Sequence, residues 1–306
     1  MKKVSVIAIS FNHEAYIKEA LASVFAQTRA NIELIVMDDG SEDNSQAVIS
    51  ELLKDKDCET VLHKSNEGYK KTFNEGLALA TGDYIVDFAL DDVMKPDFLE
   101  QSITALEKAG EDYGVSFSNA EYIDRDSKIT VVHTEWLKAQ GIIDWVPQGD
   151  VFQMLLKRYF ICTPSMVIRK SVFDRLRGYD NELAYEDFDF WVRSSRNWKY
   201  IYVDQVLIQK RKLTNSMSAQ RYLHSTNGQM KSVFQVCEKA ASLCDSRTDY
   251  KALSVRLNYE FRQCLRFRNW DLANAYMLLL RSNRLNLDLA SLSLNWFGIR
   301  LKLKLK

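Results

Sequence analysis

Three short runs of apolar, largely β-branched or aromatic residues, 4–9, 32–37 and 84–89, each stop at a polar cluster. The clusters are Ser10-Phe11-Asn12, Asp38-Asp39-Gly40-Ser41 and Asp91-Asp92. Between the runs lie segments of helical spacing. Residues 14–27 carry Ile17, Leu21, Val24 and Phe25 at intervals that bring them to one helical face. Residues 45–53, 68–80 and 96–109 are read as helices too, the last with Pro96 in its first turn. Residues 60–63 complete the set as a further strand. Strands that are apolar throughout and alternate with helices predict an α/β fold, a Rossmann-like, mainly parallel sheet covered on both faces. Ligands of such sheets bind beyond the carboxyl ends of the strands. The three polar clusters fall there.

After Gly114 the pattern changes. Residues 115–117 predict a strand, and 119–149 a mixture of loop and short strand containing Tyr122, Trp136 and Trp145. Helices are expected over 150–158, 170–175 and 186–196, and strands over 165–168, 200–203 and 206–210. From about residue 219 onward nearly everything reads as helical and basic. The 41 basic and 41 acidic residues cancel, but residues 221–306 hold 15 basic and 6 acidic ones, while 1–220 hold 26 and 35. An acidic first part is thus followed by a basic tail, and the bulk charge suggests no nucleic-acid partner. The division expected is a catalytic domain over 1–218 and a helical extension over 219–306.

Several classes lose their support. A hydrophobic share of 46% excludes a disordered chain. No leader segment is recognisable and no apolar run approaches the roughly 18 residues of a spanning helix, so a cytoplasmic protein is expected. Cys58, Cys162, Cys237, Cys244 and Cys264 are scattered without a CxxC pair, which predicts free, mostly buried thiols. His13, His63, His133 and His224 show no metal-ligand spacing. There is no GxGxxG after the first strand and no GxxxxGK[ST], which removes the main support for nicotinamide dehydrogenases and P-loop NTPases.

The acidic clusters carry the candidate chemistry. Adjacent carboxylates such as Asp91-Asp92 are costly unless a cation neutralises them. A Mg²⁺ or Mn²⁺ ion on a diphosphate would do so, since these ions take oxygen ligands and few protein carboxylates. A solvated turn that caps the next helix is the alternative. Asp39 is placed to accept a hydrogen bond from a base or ribose, while Asp43 or Ser45 caps a helix. In Glu186-Asp187-Phe188-Asp189-Phe190-Trp191-Val192-Arg193, the side chains Phe188, Trp191 and Val192 share one helical face. Asp187 at the start of that helix can then point into a cleft and act as a general base; a charge-dressed amphipathic helix is the competing reading.

These clusters, in this order, resemble the family 2 glycosyltransferases of the GT-A fold. The similar stretches are 4–12, 20–28, 33–41 with Asp43 and Ser45, Asn66-Glu67-Gly68, Asn74-Glu75-Gly76, 80–85, Asp91-Asp92, and Glu186-Asp187 with Trp191. The resemblance covers roughly residues 4–218. It implies an inverting enzyme that uses a nucleotide sugar, with Phe11 stacking on the base and Asp39 hydrogen-bonding it. Asp92 would hold Mn²⁺ or Mg²⁺, Asp91 would lie near the ribose or sugar, and Asp187 would deprotonate the acceptor. The segment 210–218 departs from the pattern, with Leu213 where many relatives have His. Arg211 or Lys212 is the expected substitute source of positive charge at the donor diphosphate.

The resemblance further implies a glycan or lipid-linked glycan acceptor and a role in bacterial cell-surface polysaccharide synthesis. Transfer to a polyprenyl phosphate and a catalytically silent nucleotide-binding scaffold are the alternatives. In the tail, Phe261, Leu265, Trp270, Leu272, Tyr276 and Leu279 predict a packed helical layer. Residues 289–306 mix Leu, Trp296, Phe297 and Ile299 with cations, which suits a peripheral contact with the inner face of an anionic membrane or, alternatively, a frayed helix or homodimer contact.

Overall fold

A computed structural model describes residues 2–29, 31–213 and 228–282. The first half follows the expected alternation: β1 (Val4–Ser10), α1 (Ile17–Phe25), β2 (Ile32–Asp38), α2 (Ser45–Leu53), β3 (Glu59–Leu62), α3 (Tyr69–Leu79), β4 (Tyr84–Ala89), β5 (Val93–Met94) and α4 (Phe98–Ala109). Next come β6 (Tyr113–Ile123), β7 (Ile129–Val132), α5 (His133–Ala139), α6 (Phe152–Lys157), β8 (Met166–Arg169), α7 (Lys170–Leu176), α8 (Glu186–Ser195) and β9 (Lys199–Arg211). Three helices close the described chain: α9 (Gly228–Leu243), α10 (Arg247–Arg266) and α11 (Trp270–Ser282).

The strands form one sheet in the order β3-β2-β1-β4-β8-β6-β9-β5, with β7 hydrogen-bonded to β6. β3, β2, β1 and β4 are mutually parallel, as their continuous apolar runs predict. Beyond β4 the sheet is mixed: β8 runs antiparallel to β4 and β6, β9 parallel to β6, and β5 antiparallel to β9. The two strands expected over 200–203 and 206–210 are one, joined through register irregularities opposite Ser118 and Asn119. The stretch expected as loop and short strand contains the end of β6, β7 and α5.

One apolar core lies on each face. Val4, Val6 and Ala8 of β1 pack toward α1, α2 and α4, while Ile7 and Ile9 pack toward α3 and the later helices. The second core is continuous through Phe117, Phe152, Phe173, Phe188 and Trp191 into Val233, Leu253, Phe261 and Tyr276 of α9–α11. The packed layer expected of the tail is thus present, with Trp270 at its exposed rim. Arg256 of α10 ties it to the catalytic half: its guanidinium lies 3.9 Å from the Tyr159 ring centroid and 5.3 Å from that of Phe188, and its Nε donates to the Leu156 carbonyl at 3.2 Å. The cysteines are free, all buried except the half-buried Cys58. No helix of the described residues is long and apolar enough to cross a membrane. Residues 289–306, for which a membrane or dimer contact was expected, lie outside the described residues.

Candidate active site

The cleft is built at the carboxyl ends of β1, β2 and β4, closed from the other side by the end of β9 and the start of α8. Phe11 follows β1 with a 39% exposed ring, open to a stacking partner. Asp38 and Asp39 divide two tasks. Asp38 fixes its own turn, accepting from the Ser41 N–H, the Ser41 hydroxyl and Gln46 Nε2. Asp39 reaches across and accepts from the N–H groups of Glu67 (2.9 Å) and Gly68 (3.1 Å) and from the Thr72 hydroxyl (2.8 Å). It thereby holds the 66–68 segment beside the end of β2. Gly40 makes this approach workable. Its φ is +74°, and a Cβ there would fall inside the backbone of Ser65 and Asn66.

Asp91 and Asp92 sit in the turn between β4 and β5. Asp92 is buried, and its Oδ1 accepts the Arg211 N–H at 2.7 Å. Burial, reinforced by the Asp91 carboxylate beside it, pushes the Asp92 carboxyl well above the ordinary range. Asp91 is half-buried, with Oδ1 3.9 Å from His13 Nε2. His13 Nδ1 and the Ser10 hydroxyl are buried beside the same strand ends without a hydrogen-bond partner among the described residues. Polar atoms left so are expected where a ligand completes the set. Among the described residues no group of three or more His, Cys, Asp and Glu side chains could hold a metal by itself. Asp92, with one carboxylate oxygen free of that backbone bond and a cation-seeking environment, fits a divalent ion whose other ligands come from a bound diphosphate.

Asp187 begins α8, and the Thr163 hydroxyl donates to its Oδ2 at 2.9 Å. Burial raises the Asp187 carboxyl, opposed by Lys210 and by the Thr163 hydrogen bond. Its neighbour Glu186 is buried with Oε2 unpartnered, and burial together with Asp187 lifts it to about 8. Phe188, Trp191 and Val192 are buried as their spacing predicts. Below them Asp87 of β4 accepts from Tyr69 (2.5 Å) and Tyr179 (2.8 Å), and burial raises it to about 7 despite these bonds.

Lys210 was not singled out by its sequence, where it opens a Lys-Arg-Lys run. In the fold it stands across from Tyr122 on β6. Burial works to lower its affinity for a proton, but nearby acidic groups, Asp92 and Asp187 among them, more than offset this. The strand alternation of 208–212 was the available signal, since Lys210 and Lys212 share a face. Cys162, buried beside Lys210, has its thiol pushed up to about 12 by burial and is no nucleophile.

Arg211 departs from the expected placement. Its side chain is wholly buried, donating from Nε to the Asp91 carbonyl (2.9 Å), from Nη1 to the Asp124 carbonyl (2.8 Å) and Ser127 hydroxyl (3.1 Å), and from Nη2 to Glu19 (2.7 Å). Alternation puts its side chain on the opposite face from Lys210 and Lys212, so the guanidinium braces the Asp91–Asp92 turn from behind.

An open α/β sheet with paired acidic turns at its carboxyl edge and a buried aspartate facing them defines a transferase of the GT-A class. The model of glycosyl transferase family 2 matches residues 5–177, and the chain belongs to that family. It is 27% identical over 233 residues to an uncharacterized glycosyltransferase of Haemophilus influenzae, covering 75% of this chain and 71% of that one. It is 30% identical over 210 residues to another from Rickettsia prowazekii, covering 68% and 63%. Among solved structures, S. aureus TarS 1–349 in complex with UDP-GlcNAc superposes with a TM-score of 0.65 at 17% identity, covering 85% of this chain and 73% of that one. The mannosyltransferase PcManGT of Pyrobaculum calidifontis, in complex with GDP-Man and Mn²⁺, gives 0.61 at 16% identity, covering 99% and 81%. These two likenesses establish the fold.

Proposed function

We propose that the chain transfers a sugar from a nucleoside diphosphate sugar, with UDP as the first candidate carrier, to a hydroxyl of a glycan or lipid-linked glycan, with inversion. The observation that carries the reading is the buried Asp92 carboxylate, held at the carboxyl edge of the sheet by the Arg211 N–H at 2.7 Å. The similar folds of TarS, solved with UDP-GlcNAc, and of PcManGT, solved with GDP-Man and Mn²⁺, support a nucleotide-sugar donor in this cleft.

Phe11 stacks on the base, and Asp39 accepts from it through Oδ2, the oxygen with one partner. Asp91 holds the ribose or sugar. Mn²⁺ or Mg²⁺ at Asp92 would neutralise charge on the departing diphosphate. Asp187 takes the proton of the acceptor hydroxyl through Oδ1, because Thr163 occupies Oδ2. The acceptor oxygen then attacks the anomeric carbon from the face opposite the leaving diphosphate, and one displacement inverts the centre. Lys210 opposes the rise that burial imposes on Asp187.

The proposal extends to a role in bacterial surface-polysaccharide synthesis in the cytoplasm, with the basic tail as a peripheral contact for the inner face of the membrane. The test is a donor screen over UDP-, GDP- and dTDP-sugars with and without Mn²⁺. Transfer or slow hydrolysis of one donor, lost on chelation and in Asp92→Asn, is expected. Turnover that survives both Asp92→Asn and Asp187→Asn would overturn the reading.

A further inference from the structure

Lys212 follows β9, and its N–H is pinned to the Ile123 carbonyl at the end of β6 (2.9 Å). Its exposed ammonium lies 3.6 Å from the Tyr122 ring centroid and 5.4 Å from that of Trp136. The bed beneath it is rigid. The Tyr122 hydroxyl bonds His133 Nδ1 at 2.7 Å, and His133 Nε2 meets the Phe160 carbonyl at 3.1 Å. A carbonyl only accepts, so Nε2 carries the proton and the phenol donates to Nδ1. Trp136 stands edge-on to Tyr122 at 6.5 Å and keeps 36% of its surface exposed.

Two features mark this as a site awaiting an anion. No carboxylate of the described residues lies within 4.0 Å of the ammonium of Lys210 or Lys212. The two lysines also sit two residues apart on one strand face, where each raises the cost of the other's charge. β9 lies between β6 and β5. The Asp91–Asp92 turn is on the β5 side, whereas Tyr122 and Trp136, which hold Lys212, are on the β6 side. The ring bed thus holds the Lys212 ammonium toward the β6 side of the strand, away from the Asp91–Asp92 turn.

We propose that Lys212 on its Tyr122–Trp136 bed is an acceptor subsite for an anionic group, so that the acceptor carries a phosphate or carboxylate close to the hydroxyl that receives the sugar. The inference rests on the glycosyltransferase reading above, with Asp187 marking the acceptor side. Ring faces with one placed cation suit a polyol or sugar that bears a negative charge.

The test uses the full chain with Mn²⁺ and saturating UDP, titrated with glycerol 1-phosphate, glucuronate, glycerol and glucose by ligand-observed NMR. An anionic probe should bind about tenfold more tightly than its neutral counterpart, and Lys212→Gln should remove most of that preference while Lys212→Arg keeps it. UDP affinity should stay within about twofold in Lys212→Gln. Comparing glycerol 1-phosphate with glucuronate identifies which anion is preferred. Equal binding of charged and neutral probes, or an equal loss of UDP affinity in Lys212→Gln, overturns the subsite. If no nucleotide binds the wild type at all, the donor reading fails instead, and the same titrations without UDP still report on Lys212.

Discussion

Arg211 donates its backbone N–H to the Asp92 carboxylate at 2.7 Å and its Nε to the Asp91 carbonyl at 2.9 Å. One residue at the end of β9 thus sets both the position and the direction of the acidic turn. The side chain continues to Asp124, Ser127 and Glu19 and covers the Tyr16 ring, with its centre 4.4 Å from the ring centroid. Truncating it leaves several buried acceptors unpaired. Arg211→Ala should therefore lower stability by about 3 kcal/mol. Thermal melts with and without UDP check this. Wild-type stability with a weakened donor KM would instead return Arg211 to the role its sequence position suggested.

The proposed role of Asp187 as base is tested by Asp187→Asn, which keeps the shape of the group and its contact with Thr163. A positioned base contributes on the order of a hundredfold to ten-thousandfold. The variant should lose kcat in that range while UDP binding, followed by calorimetry, is retained.

Lys210 opposes the rise that burial imposes on Asp187. Removing the ammonium in Lys210→Met raises the Asp187 pKa further. A base works only when deprotonated, so the acid limb of the kcat–pH profile should move to higher pH. A limb that stays in place would show that Lys210 does not act through Asp187.

Gly40 can be replaced only by displacing the backbone of Ser65 and Asn66. Gly40→Ala combines that clash with a left-handed φ and should cost at least about 3 kcal/mol. It should also loosen the Glu67 and Gly68 N–H groups from Asp39, so nucleotide affinity falls along with the melting temperature.

Asp87 has its carboxyl raised from the usual 3.8 to about 7, first by burial. The folded state therefore favours the protonated form. The stability this provides is complete below pH 3.8 and is lost as pH rises through 7, a swing on the order of 4 kcal/mol. Melting temperatures of wild type and Asp87→Asn at pH 5 and pH 8 check the sign: the variant should show the smaller drop between them.

The parallel half of the fold was legible because its strands are buried on both faces and read as unbroken apolar runs. β6 was recognised only at 115–117 because beyond them it carries Ser118 and Asn119, polar residues buried through hydrogen bonds that no periodicity records. The acidic members of the site were readable from their positions at strand ends. Lys210 was not, since a lysine in a basic run reads as surface charge until pairing with β6 buries it. Arg211 is a related case. Its charge was visible, but the face it occupies depends on strand register, which the residues near it do not specify.

The stacking of Arg256 on Tyr159 and Phe188 has a practical corollary for handling the enzyme. Phe188 is one peptide bond from Asp187, so the three helices from Gly228 onward form part of the wall on which Asp187 is mounted. A protein cut back to residues 1–218 would present that aromatic wall to water and invite aggregation before any assay of turnover could begin. Chimeras that exchange acceptor preference should be spliced on the far side of the sheet, among α1, α2 and α4, where none of these helices contributes to the core.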